Sequence, residues 1–538
     1  MLGGQEARFV VATPTERAMQ RLPRHLRRFV VSQEYEAYTP RDHAVWRHIV
    51  RRLRDHLADK AHPVYLDGLA ATGIGAERIP SLDEMNVKLG ALGWSAVAVR
   101  GFLPPAAFTE LQSLGVLAIA VDIRDHEHIH YTPAPDIVHE SAGHAPILAN
   151  ARYAEYLRRA GRAGFRAIAS SEDEAVFRAV RNLSIVKEDP SAPPERIALA
   201  EERLSAARAS RRYVSENAKA SRLYWWTAEY GLIGPMDRPR IYGAGLLSSI
   251  GEAERCLSSD VKKVSLSAAC VERDFDITRM QPQLFVARDF EQLFEVLEEF
   301  EASLAYRRGG DFGLEQAILA RTVNHLVLGD GLELTGRVVE RIAAANAVAP
   351  GLATALARLE GPIVMSRGGK AVGAPLAGGA VVLFGRGEPP PEEGPFAIEL
   401  SSGLFVTGFA TGGGSVVNLR AHLAGRPLDV PSCTHLFTTN VLPSVGGGAA
   451  DPETWDTLFG GFDTTAGGEG EASARQAKAA ELDPELGALY REVRELRELH
   501  TWRPERLEAI LRRAAAWPED WLLKSEVEEL LGSRRDAA

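Results

Sequence analysis

Three cysteines in 538 residues, Cys256, Cys270 and Cys433, are too few and too scattered for a disulfide framework or a CxxC-type structural zinc site. That usage suits a reducing compartment, so a cytoplasmic protein is expected. Long hydrophobic runs are missing too. No stretch approaches the roughly 20 apolar residues of a membrane helix, and the first residues contain no secretory apolar segment. Positive charge is not in excess either: 62 Lys and Arg stand against 72 Asp and Glu, and a net charge of -10 argues against a general nucleic-acid or anionic-membrane binder. The arginines near the start (Arg17, Arg21, Arg24, Arg27, Arg28) read as a basic solvated helix or loose tail rather than a transit peptide.

What is present is an ordinary globular composition, 45% hydrophobic and 25% charged, in a chain longer than one core usually supports. Residues 1–34 show little regularity and are expected to be a tail packed on the neighbouring domain. A mainly α domain with short strands is expected over 35–310, an accessory region with a small β-rich part over 311–445, and a linker with a helical segment over 446–538. Within the first unit, Val45, Ile49, Leu53 and Leu57 recur every fourth residue and mark the buried stripe of a helix. Ser81 with Glu84 reads as a capping box opening a second helix. Alternation at Trp94–Val99 and the apolar run Gly115–Val121 read as short strands. Between them Gly101-Phe-Leu-Pro-Pro105 is a loop, because two prolines remove donors and force extended geometry. Tyr153 to Arg211 reads as a helical hairpin broken at Asp189–Pro194, and Ser221–Gly231 as an aromatic helix ended by glycine. Arg307-Arg-Gly-Gly310 is a plausible end to the first domain. Gly-rich, strand-like pieces span Pro362 to about Asn418, and Gly446–Gly470 reads as a flexible connection. The stretch from Ala472 to Leu531, rich in Ala, Glu, Leu and Arg, is expected to be helical and to serve packing or homo-oligomerisation.

Potential metal ligands concentrate at Tyr131-Thr-Pro-Ala-Pro-Asp136-Ile-Val-His139-Glu140-Ser-Ala-Gly-His144-Ala-Pro146. An ideal helix would place His139 and His144 roughly 140° apart, not on one face. The HExxH zinc-protease pattern needs i and i+4, so it loses its geometric basis here. The spacing works if the helix is irregular near Gly143 and Pro146. Asp136 can cap that helix. Glu229, a carboxylate among Tyr and Trp, is either half of a buried ion pair with an arginine or a third ligand. As a ligand it would complete a two-histidine, one-carboxylate face like that of non-heme Fe(II) oxygenases. His126, His128 and His130 form a rival cluster on alternate residues, which would equally suit a solvated strand face. Arg124 offers a fork suited to a carboxylate, in a substrate or in a surface ion pair.

The run from Tyr131 to Pro146 resembles the signature of the pterin-dependent aromatic amino acid hydroxylases, and Tyr224-Trp-Trp-Thr-Ala-Glu229-Tyr-Gly-Leu and Tyr242-Gly-Ala-Gly-Leu-Leu-Ser-Ser249 match the same family in the same order. The resemblance spans about residues 38 to 305 and is greatest to the long bacterial form that acts on phenylalanine. It implies that His139, His144 and Glu229 hold Fe(II) and that tetrahydrobiopterin or a related tetrahydropterin works beside it with O2 as co-substrate. It further implies that Arg124, Thr132 and Ser248 hold the amino acid, that Trp225 and Pro135 line its ring pocket, and that Tyr224 sits near the iron. The pterin is expected against Gly101, Phe102, Leu103 and Phe108, with Glu140 nearby. The implied reaction is hydroxylation of L-phenylalanine to L-tyrosine, because Ile277 is apolar where tyrosine-hydroxylating relatives are acidic. Tryptophan hydroxylation, a metal-dependent hydrolase and a non-catalytic metal or aromatic-ligand binder are the alternatives. The segment from about Ser170 to Ser215 is longer than in compact members, and everything after about residue 310 lies outside the resemblance.

Overall fold

The structure, a computed structural model, describes residues 12–101, 103–126, 129, 136–188, 192–277, 280–412, 415–438, 441–459, 483–500 and 503–532. The chain begins with more order than its composition suggests. Pro14–Arg21 is a helix whose N-cap Thr13 and Glu16 satisfy each other's backbone donors, with Pro14 in the first turn. Ala18, Leu22, Leu26 and Phe29 then pack with Val97, Val99, Ala107 and Leu111, and Leu103 and Phe108 lean on the same cluster. The first segment therefore backs the loop at Gly101. The helix Pro40–Leu57 follows its sequence stripe, with Val45, Ile49, Leu53 and Leu57 all buried. The expected box at Ser81 does not form: the Ser81 side chain makes no cap bond, Gln33 Oε1 accepts from Leu82 N–H, and Glu84 pairs with Arg78. A distant side chain takes the place of the local cap.

Ser95–Val99 and Val116–Ala120 form a parallel pair, linked by the helix Pro105–Ser113. Ala151–Arg166 packs on that linking helix through glycines: a Cβ on Gly161 would lie 2.8 Å from Ser113 N, and one on Gly164 2.8 Å from Thr109 Cγ2. The single hairpin expected over Tyr153–Arg211 is instead three helices, Ala151–Arg166, Ser171–Glu188 and Pro194–Ala209, the last two packed on each other. Glu216–Tyr224 and Phe290–Ser303 complete the helical wall around the site.

The chain runs through Arg307–Gly310 without a linker. Gly309 and Gly310 have φ of 55° and 56°, and a Cβ on either would lie within 2.2 Å of a carbonyl oxygen, Leu442 O or Gly351 O. The helix Gly310–Ala320 covers one face of a mostly antiparallel sheet, whose strands run in the order Thr434–Thr438, Ala380–Phe384, Thr354–Arg367, Glu333–Ala343, Asn324–Val327, Ser444–Gly447. Ala380–Phe384 is buried on both faces: Val382 and Phe384 enter one cluster, Val381 and Leu383 the other. That explains a continuous apolar run where a half-exposed strand would alternate. The second cluster is closed by the antiparallel strands Glu393–Glu399, Leu404–Thr411 and Val416–Leu423. Strands thus begin well before Pro362. Glu333–Ala343 escapes a composition reading because its Arg337, Glu340 and Arg341 dilute the apolar signal and its register shifts break the alternation.

Gly446–Gly470 is not a flexible connection in its described part. Ser444–Gly447 pairs with Asn324–Val327, and Pro452–Phe459 is a helix. A Cβ on Gly447 would lie 2.4 Å from Ala167 O, so this glycine permits close approach rather than motion. The C-terminal helices Pro484–Leu499, Pro504–Ala514 and Trp521–Gly532 bury Leu489, Tyr490, Val493, Leu523 and Val527 in the core that holds Trp46, Ile49 and Leu53. Glu526, 3% exposed in its side chain, sits between Arg47 (2.8 Å) and Arg497 (3.0 Å). No helix among the described residues is long and apolar enough to cross a membrane.

Candidate functional site

Two irregular helical segments bring the candidate ligands together. Val138–His144 is a π-helix, whose i→i+5 bonding widens the turn and brings residues five apart onto nearly one face. The spacing that defeats an α-helix is the one this turn requires. Asp136 opens it, accepting the His139 backbone N–H at 3.0 Å. Trp225–Glu229 is a second π segment, closed by Tyr230 N–H to Trp225 O at 2.8 Å. The Tyr242–Ser249 block clamps both. A Cβ would come 2.7 Å from Ala244 O at Gly143, 2.4 Å from Glu229 O at Gly243, and 2.8 Å from the Tyr230 ring at Gly245.

The result is a compact donor set: His139, His144 and Glu229 each present one ligand atom, all within 4.8 Å of one another. Glu229 Oε2 lies 3.4 Å from His139 Nε2, and its Oε1 3.1 Å from His144 Nε2. Donors about 2.1 Å from an octahedral ion sit about 3 Å apart on one face, so the set is already close to metal geometry. Ser248 Oγ donates to Ala244 O at 2.7 Å and lies 3.0 Å from His139 Nδ1, so it accepts the Nδ1 proton and leaves Nε2 with its lone pair toward the centre. Burial pushes His139 down to about 4, keeping it neutral. Burial would raise Glu229, but the two imidazoles outweigh it and hold the carboxyl below its ordinary value. An arginine partner for Glu229 is thereby replaced by the two histidines.

The donor set opens into a cavity of about 360 Å³ with predominantly apolar walls, lined by Gly101, Leu103 and Phe108 on one side and Tyr224, Trp225 and Phe275 on the other. Trp225 is stacked between Phe275 (centroids 4.3 Å apart) and Tyr230 (4.5 Å). Tyr224 stands edge-on to Phe108 at 5.7 Å, lies 6.4 Å from the His144 ring, and takes a hydrogen bond from Gln112 Nε2. Glu140 faces the cavity with no hydrogen-bond partner for its carboxyl among the described residues, and burial pushes it up to about 8.

Arg124 is buried behind this wall. Its Nε and Nη2 each reach Asp136 at 2.8 Å and its Nη1 reaches Ser248 O at 3.3 Å, so the fork is fixed by an acidic partner that the sequence offered only as a helix cap. Burial works against the charge on Asp136, but Arg124 outweighs it and lowers the carboxyl below its usual range. Phe102, Thr132 and Pro135 lie outside the described residues, as do His128 and His130. His126 is engaged by Arg41 and Asp125, and the triad is the one three-ligand group among the described residues. Phe275, Asn217 and Gln112 were not singled out in the sequence; Phe275 lies two residues from Ile277, but nothing local marks Asn217 as facing the cavity or Gln112 as the partner of Tyr224.

A family model described as biopterin-dependent aromatic amino acid hydroxylase matches residues 32–180 and 204–324. The phenylalanine-4-hydroxylase of Pseudomonas aeruginosa is 31% identical over 264 residues, 49% of this chain and 84% of that protein. The phenylalanine-4-hydroxylase of Chromobacterium violaceum is 29% identical over 292 residues, 54% of this chain and 84% of that protein. A solved structure of the Chromobacterium violaceum phenylalanine hydroxylase with bound oxidised Fe(III) aligns over 55% of this chain and 94% of that one, at 28% identity and a TM-score of 0.42. Over its first 324 residues, apart from the N-terminal segment and part of the inserted helices, the chain belongs to the biopterin-dependent aromatic amino acid hydroxylases.

Proposed function

We propose that this chain hydroxylates L-phenylalanine to L-tyrosine with O2, a tetrahydropterin such as tetrahydrobiopterin, and a non-heme Fe(II) held by His139, His144 and Glu229. The supporting observation is a buried face of two imidazoles and one carboxylate opening into an aromatic-walled apolar cavity, in a member of this family. Iron and the reduced pterin, when bound, supply the activation of O2 that no side chain here can perform.

The protein's share is placement and exclusion of water. Ser248 fixes the tautomer of His139, so the imidazole needs no rearrangement to bind metal. Arg124, held by Asp136 and buried with Ser248 beside it, presents its remaining N–H groups to the substrate carboxylate, the role in which Thr132 is also expected to share. Trp225, stiffened by stacking on Phe275, forms the wall for the substrate ring, a role expected of Pro135 as well. Tyr224 closes the space beside the metal ligands. The pterin, when bound, would be held against Phe108, Gly101 and Leu103, and the Glu140 carboxyl, without a hydrogen-bond partner among the described residues, would accept from its ring N–H groups. Ile277, two residues from the cavity-lining Phe275, is the apolar position expected to favour phenylalanine over tyrosine. Free cysteines, with burial pushing Cys256 and Cys270 up to about 12, fit a cytoplasmic protein. Homo-oligomerisation through the C-terminal helices would use side chains that their internal packing leaves out, such as the exposed Leu499.

The test is the purified chain with Fe(II), tetrahydrobiopterin and O2, offered equal phenylalanine, tyrosine and tryptophan. Tyrosine formed from phenylalanine is the expected main product, and Glu229→Ala is expected to lose both iron and turnover. Absence of tyrosine, together with unchanged iron content in Glu229→Ala, refutes the reading.

A further inference from the structure

The four-stranded sheet of the accessory region, in the order Glu393–Glu399, Leu404–Thr411, Val416–Leu423, Arg426–Leu428, has one covered face and one open face. Ile398, Leu404, Val406 and Ala421 point into the cluster beneath it, so the residues alternating with them face out. The register sets those outward residues in rows across the strands. Glu399 pairs with Phe405 and Phe405 with His422; Ala397 pairs with Thr407 and Thr407 with Arg420; Pro395 pairs with Phe409 and Phe409 with Val417. Phe405, Phe409 and Val417 are 42%, 46% and 44% exposed. A solvated sheet face normally carries polar residues at such positions, and apolar side chains contiguous across two strands mark an interaction surface. The edges of the same sheet are guarded. Pro395 removes a donor from one edge strand and Glu393 and Glu399 charge its ends, while the other edge strand is only three residues long with Pro427 at its centre. Growth through the edges is thereby discouraged, and the face is left open. Arg420 and Glu399 flank the apolar strip from opposite sides, and neither takes part in an ion pair among the described residues.

We propose that a second copy of this chain docks on this face, sheet against sheet, about a twofold axis parallel to Leu404–Thr411. The charges choose both the partner and the axis. About that axis Leu404–Thr411 lies over its own equivalent, so Phe405 and Phe409 meet their counterparts. Glu393–Glu399 of each copy then lies over Val416–Leu423 of the other, which brings Arg420 and His422 of one copy to Glu399 of the other, twice by symmetry. A twofold axis running across the strands would instead set Arg420 against Arg420, a like-charge contact that opposes association. Sheets packed about 10 Å apart and within about 30° of alignment accommodate the arrangement. Four strands about 4.8 Å apart, seven residues long at about 3.3 Å each, make a face of roughly 440 Å², or about 900 Å² buried in all. That area stands at the weak end of specific interfaces, so a dimer in exchange at micromolar concentration is expected. This surface is different from the C-terminal helices, which pack in the other core.

Sedimentation equilibrium of the full chain tests this apart from any turnover. The mass is expected to rise from 58.4 kDa toward twice that value between about 1 and 100 μM, with half-association near about 10 μM. Phe409→Asp changes a side chain already exposed in the single chain, so its unfolding should match the wild type while association weakens by more than about tenfold. Arg420→Glu and Glu399→Arg are each expected to weaken self-association about tenfold, because each sets like charges together at both symmetric contacts. An equal mixture of those two variants is expected to associate within about threefold of the wild type, since both contacts of the mixed dimer again join an arginine to a glutamate. A role for either residue within its own chain produces no such rescue. A wild-type mass that stays at 58.4 kDa up to about 100 μM overturns the inference, as does association that survives Phe409→Asp or a mixture no better than its two components. Association that Leu499→Glu abolishes and Phe409→Asp spares overturns it in favour of the C-terminal helices.

Discussion

Ser248→Ala isolates the contribution of one hydrogen bond to a metal site. The substitution removes only the oxygen that sits 3.0 Å from His139 Nδ1 and donates to Ala244 O at 2.7 Å. It adds no atoms to a crowded spot, where a Cβ on Gly143 would already lie 3.2 Å from Ser248 Cβ. His139 then loses what fixes its tautomer. Losing such a partner typically costs 10- to 100-fold in metal affinity, or about 1.4 to 2.7 kcal/mol. Fold stability should fall by only about 1 kcal/mol, because the lost bonds are single and neutral. Competition for Fe(II) against a chelator of known affinity reads the first quantity, urea unfolding of the metal-free protein the second, and turnover per bound iron shows whether the chemistry itself is spared. An unchanged iron affinity beside a clear loss of stability would refute the reasoning and leave Ser248 a structural residue.

Glu526→Gln removes the carboxylate between two buried guanidinium groups, leaving Arg497 with Glu529 at 3.3 Å and Arg47 with the Glu77 carbonyl, and is expected to destabilise the docking of the C-terminal helices by about 3 kcal/mol, read by chemical unfolding. The triple change Arg47→Met, Glu526→Leu, Arg497→Met is expected to recover most of that loss, because it removes the buried charges altogether. Burial raises Glu216 to about 7 from 4.5, while its oxygens accept the backbone N–H groups of Ile168 and Ala305. The folded chain therefore holds this proton more tightly than the unfolded chain. The stability it contributes is complete below about pH 4.5 and is lost as pH rises through about 7, on the order of 3 kcal/mol in all. Unfolding free energies between pH 5 and 8 should show that decline for the wild type, and a flatter slope for Glu216→Gln.

Much of the site was legible because its residues lie in short, dense blocks. The two histidines, Glu229 and the glycines of Tyr242–Ser249 stand close together in sequence, and each block folds into one local element. The candidate donors could be read there, and their geometry could not. Whether residues five apart share a face depends on a π turn, which is stabilised by the helix packed at Gly143 and not by local propensity. Arg124 was visible as a cation, but its partner Asp136, twelve residues away, was visible only as a cap. The glycines at 446–448 carried the composition of a linker and the function of a contact surface, because glycine signals freedom and close approach with the same letter.

By itself the sequence determined the candidate donor set, the helical stripe of Pro40–Leu57, two short strands and the helical character of the C-terminus, because those features rest on periodicity and local chemistry. The tertiary structure alone decided that the three donors converge within 4.8 Å, that the C-terminal helices close on Arg47 within the same chain, and that Asn217 and Phe177 face one cavity. Those are contacts between residues tens to hundreds of positions apart, set by the packing of whole elements, and no local pattern encodes them.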